Sequence, residues 1–182
     1  RDPDPTDRYG SSKYQAEKFL DSVSGMSRVI LRPPLVFGPG HKGNLDLLCR
    51  ALLRGIPLPL SGIDNRRSFI YVENLGEAVV AALSRDTKKC EIFTIADTTI
   101  STTDLVRSLA KNLRVPARLF YIPKPIFVFA AACLGLHRTA GRLLDSLVVD
   151  STDARRTLQW DPKFSFDEGL LKTGKWYLDE RG

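Results

Sequence analysis

The short run Arg28-Val29-Ile30-Leu31, cut off by Arg32-Pro33-Pro34, constrains the fold more than any other stretch of this chain. Its apolar residues follow one another without alternation, which suits a strand buried on both faces of a parallel sheet. Proline offers no N–H to a ladder, so Pro33 and Pro34 stop regular structure there. A helix stands just ahead. Thr6 or Asp7 can cap it, Pro5 precedes it, and Gly25 ends it soon after Val23. Ala16, Phe19, Leu20 and Val23 give it an apolar face. A helix feeding a buried parallel strand is the arrangement of an α/β fold. In open α/β sheets ligands bind beyond the carboxyl ends of strands. The segment from Pro33 to Gly40 leaves such an end, and a rigid Pro/Gly loop with no ligand is the competing reading.

The same helix carries Tyr9 and Lys13, one turn apart on one face. A phenol with a pKa of about 10 is a poor proton shuttle at neutral pH. A neighbouring ammonium favours the phenolate and lowers that pKa, so the pair can act as a general acid or base near pH 7. On spacing alone, an amphipathic helix that carries both without chemistry is the competing reading.

Further along, Asn44 is a natural N-cap for a helix from Leu45 to Leu53, with Gly55 beyond it. Pro57 to Leu60 reads as a short edge strand. Asn65-Arg66-Arg67 leads into a strand from Ser68 to Val72, and a guanidinium there suits bidentate contact with phosphate. A helix follows through Ser84 with Val79, Val80 and Leu83 as its apolar stripe. Glu91 to Ala96 reads as a strand returning to the parallel sheet. Ser101-Thr102-Thr103-Asp104 caps a helix from Leu105 to Leu113, and Leu119 to Ile122 is an edge strand. Thr152 to Leu158 and Phe166 to Tyr177 close the chain as helices.

The 182 residues carry a formal charge of +6 with 43% hydrophobic and 26% charged residues, an ordinary globular composition. Lysine and arginine are scattered and no nucleic-acid motif appears, so a basic cleft for an anionic small molecule is the better reading. Cys49, Cys90 and Cys133 are widely spaced and odd in number, which points to a reducing compartment. Neither His41 nor His137 has a partner at metal-ligand spacing. Ile126 to Leu136 is apolar, but a membrane span needs about 20 residues. A buried or surface-docking helix is expected there.

Four blocks in order resemble the extended short-chain dehydrogenase/reductase family, in its nucleotide-sugar epimerase/dehydratase branch. They are Tyr9-Gly10-Ser11-Ser12-Lys13 with Glu17 following, Leu31-Arg32-Pro33-Pro34-Leu35-Val36-Phe37-Gly38-Pro39-Gly40, the stretch Asn65 to Asn74, and Leu158-Gln159-Trp160-Asp161-Pro162. The resemblance covers nearly the whole chain. It implies an α/β fold: the C-terminal portion of a Rossmann-like doubly wound parallel sheet plus a small mixed α/β substrate-binding domain. Residues 1–38 would be the last part of the NAD-binding domain. Residues 39–182 would be mainly substrate-binding, with 90–113 returning to the sheet. A Gly-x-x-Gly-x-x-Gly turn, which a dinucleotide fold uses for the pyrophosphate, does not occur in the sequence. The chain is therefore expected to be the C-terminal part of a longer enzyme, with the dinucleotide-binding part and a serine or threonine partner of the tyrosine upstream. The strands at Val29 and Ile92 are then expected to expose apolar faces.

The resemblance also assigns roles. Tyr9 and Lys13 are the catalytic pair and hold the nicotinamide ribose, and Pro33, Pro34 and Val36 lie against the nicotinamide. Asn44 and Leu45 touch the nucleotide diphosphate, Arg67 clamps it, and Arg142 is near a second diphosphate-binding arginine. No metal is assigned. Leu35, Ser68, Asn74 and Gln159 depart from the usual pattern, and Leu35 stands where many sugar epimerases carry asparagine. The function implied is a cytoplasmic, NAD-dependent UDP-hexose 4-epimerase working through a 4-keto intermediate, with NADP left open. A UDP-4-keto-6-deoxy-hexosamine 4-reductase or related dehydratase of surface polysaccharide synthesis is the alternative. A non-catalytic sugar-nucleotide-binding domain is a further one. The implied partner is a UDP-sugar, with no nucleic acid and no membrane span, and a homodimer is left open.

Overall fold

A computed structural model of the chain describes residues 8–23, 27–87, 89–133, 135 and 137–181. These form, in chain order, α1 (Arg8–Ser22), β1 (Arg28–Arg32), β2 (Leu35–Phe37), α2 (Asn44–Leu53), β3 (Arg67–Tyr71), α3 (Val72–Leu83), β4 (Cys90–Thr94), β5 (Thr98–Ile100), α4 (Thr102–Asn112), α5 (Lys124–Cys133), α6 (His137–Leu144), α7 (Thr152–Leu158) and α8 (Phe166–Arg181). The expected caps at Thr6 or Asp7 and the stop at Gly25 lie outside the described residues.

β1 pairs in parallel with β4, Arg28 opposite Cys90 and Arg32 opposite Thr94, as the unalternating run predicts. The segment beyond it differs from a rigid loop. Pro33 and Pro34 break the β1 ladder, but Leu35–Phe37 resumes as β2 and pairs in parallel with β3 in a second sheet, β2-β3-β5. The prolines thus act as a crossing between two sheets. β5, not foreseen, runs antiparallel to β3 with Ser68 opposite Thr99. The two expected edge strands shrink to one bridge between Leu58 and Leu119. Pro57 and Pro59 offer no N–H and Pro123 closes the second stretch, which leaves too few donors for a longer ladder.

β2 and β3 separate two cores, because alternate residues of a strand face opposite sides. Phe37, Phe69 and Tyr71 face a core shared with Leu45 and Leu52 of α2, Leu105 and Leu109 of α4, and Leu170 and Tyr177 of α8. Ile70, with Val36 beside it, faces the other, formed with Phe93 of β4, Ala78 of α3, and Leu158 and Trp160 after α7. Close approach matters at two glycines. A side chain on Gly38, at the end of β2, would stand 2.4 Å from a Val72 methyl group at the start of α3. One on Gly169 of α8 would stand 2.8 Å from the Tyr71 ring.

Two expectations are corrected here. Val79, Val80 and Leu83 point outward, with Leu83 81% exposed, whereas Asn74 and Ala78 form the buried face of α3. Small and polar residues let α3 sit close against the sheet, while Val79 and Leu83 line an open groove beside Val29, Ile30 and Leu31 of β1. Asn44 is the first helical residue of α2, and Gly43, at φ 79°, is the cap. The exposed apolar surface foreseen around the first sheet is present: Ile92 is 46% exposed, whereas Val29 is half-buried.

Buried polar groups close the second core. Asn74 donates Nδ2 to Asp97 Oδ2 at 2.7 Å and to the Phe164 carbonyl at 2.8 Å, and its Oδ1 accepts from Phe164 N–H. The Tyr71 N–H donates to the same Asp97 oxygen, while Asp97 Oδ1 is buried without a partner among the described residues. Burial therefore pushes the Asp97 carboxyl above its ordinary range, against the hydrogen bonds from Asn74 and the backbone that favour the carboxylate. A carboxyl raised in the fold keeps its proton to higher pH than in the unfolded chain. It is stabilising, relative to a neutral isostere, only below the ordinary value of about 4, and that contribution fades as pH rises through the folded one. Asp97→Asn is expected to melt increasingly above wild type as pH rises from 4 to 7. A gap in Tm that stays constant over that range would show that Asp97 is not strained by burial.

Candidate active site

α1 is held onto the carboxyl end of β1 by one ion pair. Arg32 Nε donates to Glu17 Oε1 at 3.1 Å and Arg32 Nη2 to Glu17 Oε2 at 2.5 Å. Both side chains are mostly buried, at 28% and 20% exposure. A bidentate guanidinium–carboxylate pair fixes orientation as well as distance. Along α1, Glu17 comes one turn after Lys13 and Lys13 one turn after Tyr9, and the pair holds the Glu17 turn at the point where β1 ends. Lys13 is exposed on that helix. The side chain of Tyr9 lies outside the described ones. Pro33 is exposed immediately beyond Arg32, Pro34 is half-buried, and Val36 packs against the second core.

Several other titratable groups among the described residues are tied to structural partners. The Tyr71 phenol donates to Glu73 at 2.6 Å, and burial first, then Glu73, pushes it well above the usual phenol range. Lys172 donates to both oxygens of Glu73 and so completes a structural cluster. The Tyr177 phenol donates to Asp46 Oδ1 at 2.6 Å. Burial, with the Asp46 charge adding to it, pushes the Cys49 thiol up to about 12, where it is no nucleophile at neutral pH. His41 Nδ1 sits 3.0 Å from the Gly38 carbonyl, its ring stacked on Tyr177. No group of three or more potential metal ligands occurs among the described residues.

A second locus forms at the start of β3. Arg67 donates Nη1 to the Asp145 carbonyl at 3.0 Å. Asn65 is buried and ties the same turn, donating Nδ2 to the carbonyls of Leu143 and Asp145, while its Oδ1 accepts from Thr102 N–H at 2.8 Å. A bridge between Arg67 and Leu147 extends the contact. The end of α6, whose sequence includes Arg142, is therefore brought to Arg67 across 78 residues of chain. The Arg142 side chain lies outside the described ones. Beside this junction is an open cleft of about 320 Å³ lined by Ser61, Asp64, Asn65, Tyr121, Lys124 and Ser146, among others. Asn44 stands half-exposed at the start of α2, whereas Leu45 is buried in the first core, with 2% of the whole residue exposed.

The sequence places these features in a known group. The family model described as the NAD dependent epimerase/dehydratase family matches residues 1–96. The chain belongs to that family. It is 35% identical over 181 residues to a UDP-glucose 4-epimerase of Vibrio cholerae, across 96% of this chain and 55% of that protein. Among solved structures it is similar to a Thermus thermophilus UDP-glucose 4-epimerase complexed with NAD, with TM-score 0.72, 22% identity, and coverage of 98% of this chain and 56% of that one. It is also similar to a Bacillus cereus UDP-glucuronic acid 4-epimerase complexed with NAD, with TM-score 0.72, 22% identity, and coverage of 96% and 52%. The chain thus spans about half the length of these relatives. At such identity the structures bear on fold, and they agree with the expected α/β architecture, a Rossmann-like parallel portion joined to a smaller mixed part.

Sequence reasoning did not find the Glu17–Arg32 pair, although a carboxylate one turn after Lys13 and an arginine just before proline were visible signals. It also missed the roles of Asn65, Tyr121 and Lys124, which depend on contacts distant in sequence. If the ion pair is what holds α1 in place, Glu17→Gln should weaken one charge-assisted hydrogen bond, at a cost of about 1.5 kcal/mol. Backbone amides of α1 are then expected to exchange roughly tenfold faster while those of α8 are unchanged. Unchanged protection of α1 would mean that other packing fixes the helix.

Proposed function

We propose that this chain carries the catalytic helix and the substrate-binding part of an NAD-dependent nucleotide-sugar enzyme, acting as a UDP-hexose 4-epimerase. The observation that carries this reading is the Glu17–Arg32 pair, which holds α1, the helix that bears Tyr9 and Lys13, at the carboxyl end of a parallel strand. That is where open α/β sheets receive ligands. The similarity to 4-epimerases supports it.

The residues present suit the nicotinamide end of NAD. Lys13 offers an exposed ammonium for ribose hydroxyls, and Pro33 and Pro34 offer an apolar surface without a backbone donor. NAD, when bound, supplies a hydride acceptor. Tyr9 takes the proton from the sugar 4-hydroxyl as C4 gives up its hydride, and returns that proton to the 4-keto oxygen as the hydride comes back to the other face of C4. Lys13 keeps the Tyr9 pKa low enough for both steps. Arg67 holds the diphosphate, supported by Asn44 and Arg142, and the cleft beside Asn65 receives the rest of the nucleotide. In domain terms, residues 1–38 belong to the cofactor side and 39–182 mainly to the substrate side. Residues 90–113 return to the cofactor sheet, a division that the β1–β4 pairing supports.

Leu35 favours one variant of this reading. Its side chain packs against the first core and has no polar atom to offer a sugar. A UDP-4-keto-6-deoxy-hexosamine 4-reductase therefore remains the second reading. The two differ in net redox change: an epimerase interconverts UDP-hexoses with no net change in NADH, whereas a reductase consumes it.

Two substitutions test the site. Tyr9→Phe is expected to lower turnover by about 10²-fold or more with UDP-sugar affinity unchanged. Near-normal turnover would remove Tyr9 from the mechanism. Arg67→Ala is expected to weaken UDP-sugar binding by roughly 1.5–3 kcal/mol, and Arg67→Lys to recover part of it. A lowered melting temperature with unchanged UDP affinity in calorimetry would instead mean that Arg67 serves only to hold Asp145.

A further inference from the structure

We propose that α5 docks this protein on an anionic membrane surface, lying in the interface without crossing it. Phe129, Ile126 and Val128 of α5 are 72%, 57% and 45% exposed, while Ala131 is buried and Phe127 half-buried. The helix therefore turns most of its apolar side chains outward and keeps only a narrow strip against the fold. Tyr121, 68% exposed, and Phe120, 44% exposed, extend the patch just ahead of it. Ten residues are too few to cross a bilayer, which takes about 20. No helix among the described residues is long and apolar enough to do so. A short helix with exposed aliphatic and aromatic side chains suits the boundary between headgroups and acyl chains.

Charge selects the occupant. Residues 105–144 contain no aspartate or glutamate, but include Arg107, Lys111, Arg114, Arg118, Lys124, Arg138 and Arg142. The nearest acids along the chain are Asp104 and Asp145, and Asp64 lies in the adjoining cleft. Although Arg107 pairs with Asp104, a stretch of chain that is cationic and free of acids before, within and after an exposed apolar helix is attracted to anionic lipid within a Debye length. A second copy of the same face would set these cations against one another, which disfavours self-association here. The surface is continuous with the cleft described above, because Tyr121, Ile122, Lys124 and Phe127 line it. Docking through α5 would therefore put the rim of that cleft at the headgroup layer.

The test is flotation of the full chain with phosphatidylglycerol-containing vesicles and with pure phosphatidylcholine vesicles, at low and at high salt. Binding is expected to the anionic vesicles and to fall at high salt. Ile126→Ser combined with Phe129→Ser is expected to weaken it at least tenfold, and Lys124→Ala about fivefold. These side chains are exposed, so circular dichroism and melting should match wild type. Absence of binding to anionic vesicles, or binding that the serine variant leaves intact, overturns the proposal. So does a lipid-free dimer that Phe129→Ser breaks, which would assign the face to a second copy.

Discussion

The parallel pairing of β2 with β3 is the contact on which the rest of the molecule depends. Leu35, Val36 and Phe37 stand opposite Phe69, Ile70 and Tyr71. Because successive side chains face opposite ways, this short ladder supplies walls to both hydrophobic cores. α2, α4 and α8 condense on one side of it, and α3, α7 and the β1–β4 pair on the other. A one-residue slip in β3 would move Ile70 into the first core and Phe69 and Tyr71 into the second. The register is also secured from outside the sheet, since Asp97 accepts from the Tyr71 N–H and Ser68 Oγ accepts from Val149 N–H at 2.9 Å.

The site inherits its position from that ladder. β1 and β2 are one extended segment interrupted by Pro33 and Pro34, so fixing β2 in the second sheet fixes where β1 must end. The Glu17–Arg32 pair then ties α1 to that end. Arg67 is the first residue of β3, so the same strand that fixes β2 also holds the guanidinium of the second locus. Both loci are therefore set by residues at strand ends, where the backbone is rigid and the side chains are free to leave the sheet.

Local signals were legible in the sequence and contacts between distant residues were not. The unalternating run at Val29 to Leu31 gave a parallel strand, and the proline pair gave its end. Ser101 and Asp104 gave the start of α4, where Ser101 Oγ accepts from Asp104 N–H at 3.0 Å. Thr152 to Leu158 was bounded correctly on both sides. The failures have a common cause. β2 is three residues long and holds its strand form only because β3 lies beside it. The outward stripe on α3 misleads because periodicity tells which residues share a face, not which face is buried. Here Asn74 and Ala78 win the inside because close approach and buried hydrogen bonding outweigh the burial of Val79 and Val80. The β1–β2 crossing required knowing that Arg28 meets Cys90 while Leu35 meets Phe69, and the Asn65 turn that residues 80 positions apart meet.

The departures from the resembled family pattern acquire physical meaning once their contacts are known. Gln159 occupies a left-handed conformation at φ 49°, which costs a non-glycine residue about 1 kcal/mol. The turn is held nonetheless by Trp160, whose Nε1 donates to the Asn74 carbonyl at 3.2 Å. Asn74 in turn binds both the N–H and the carbonyl of Phe164, as a carboxylate at that position could not, having no donor. Ser68 bonds Thr99 and Val149, a short polar link that a longer acidic side chain would not fit in a site 1% exposed. These three substitutions therefore form one connected adjustment, in which the C-terminal segment is tied to α3 and β3 by neutral hydrogen bonds where charge would have to be buried. Tyr9, Lys13 and Arg67 stand outside that adjustment. Leu35 is the departure of another kind, since it replaces a polar side chain by one that packs inward.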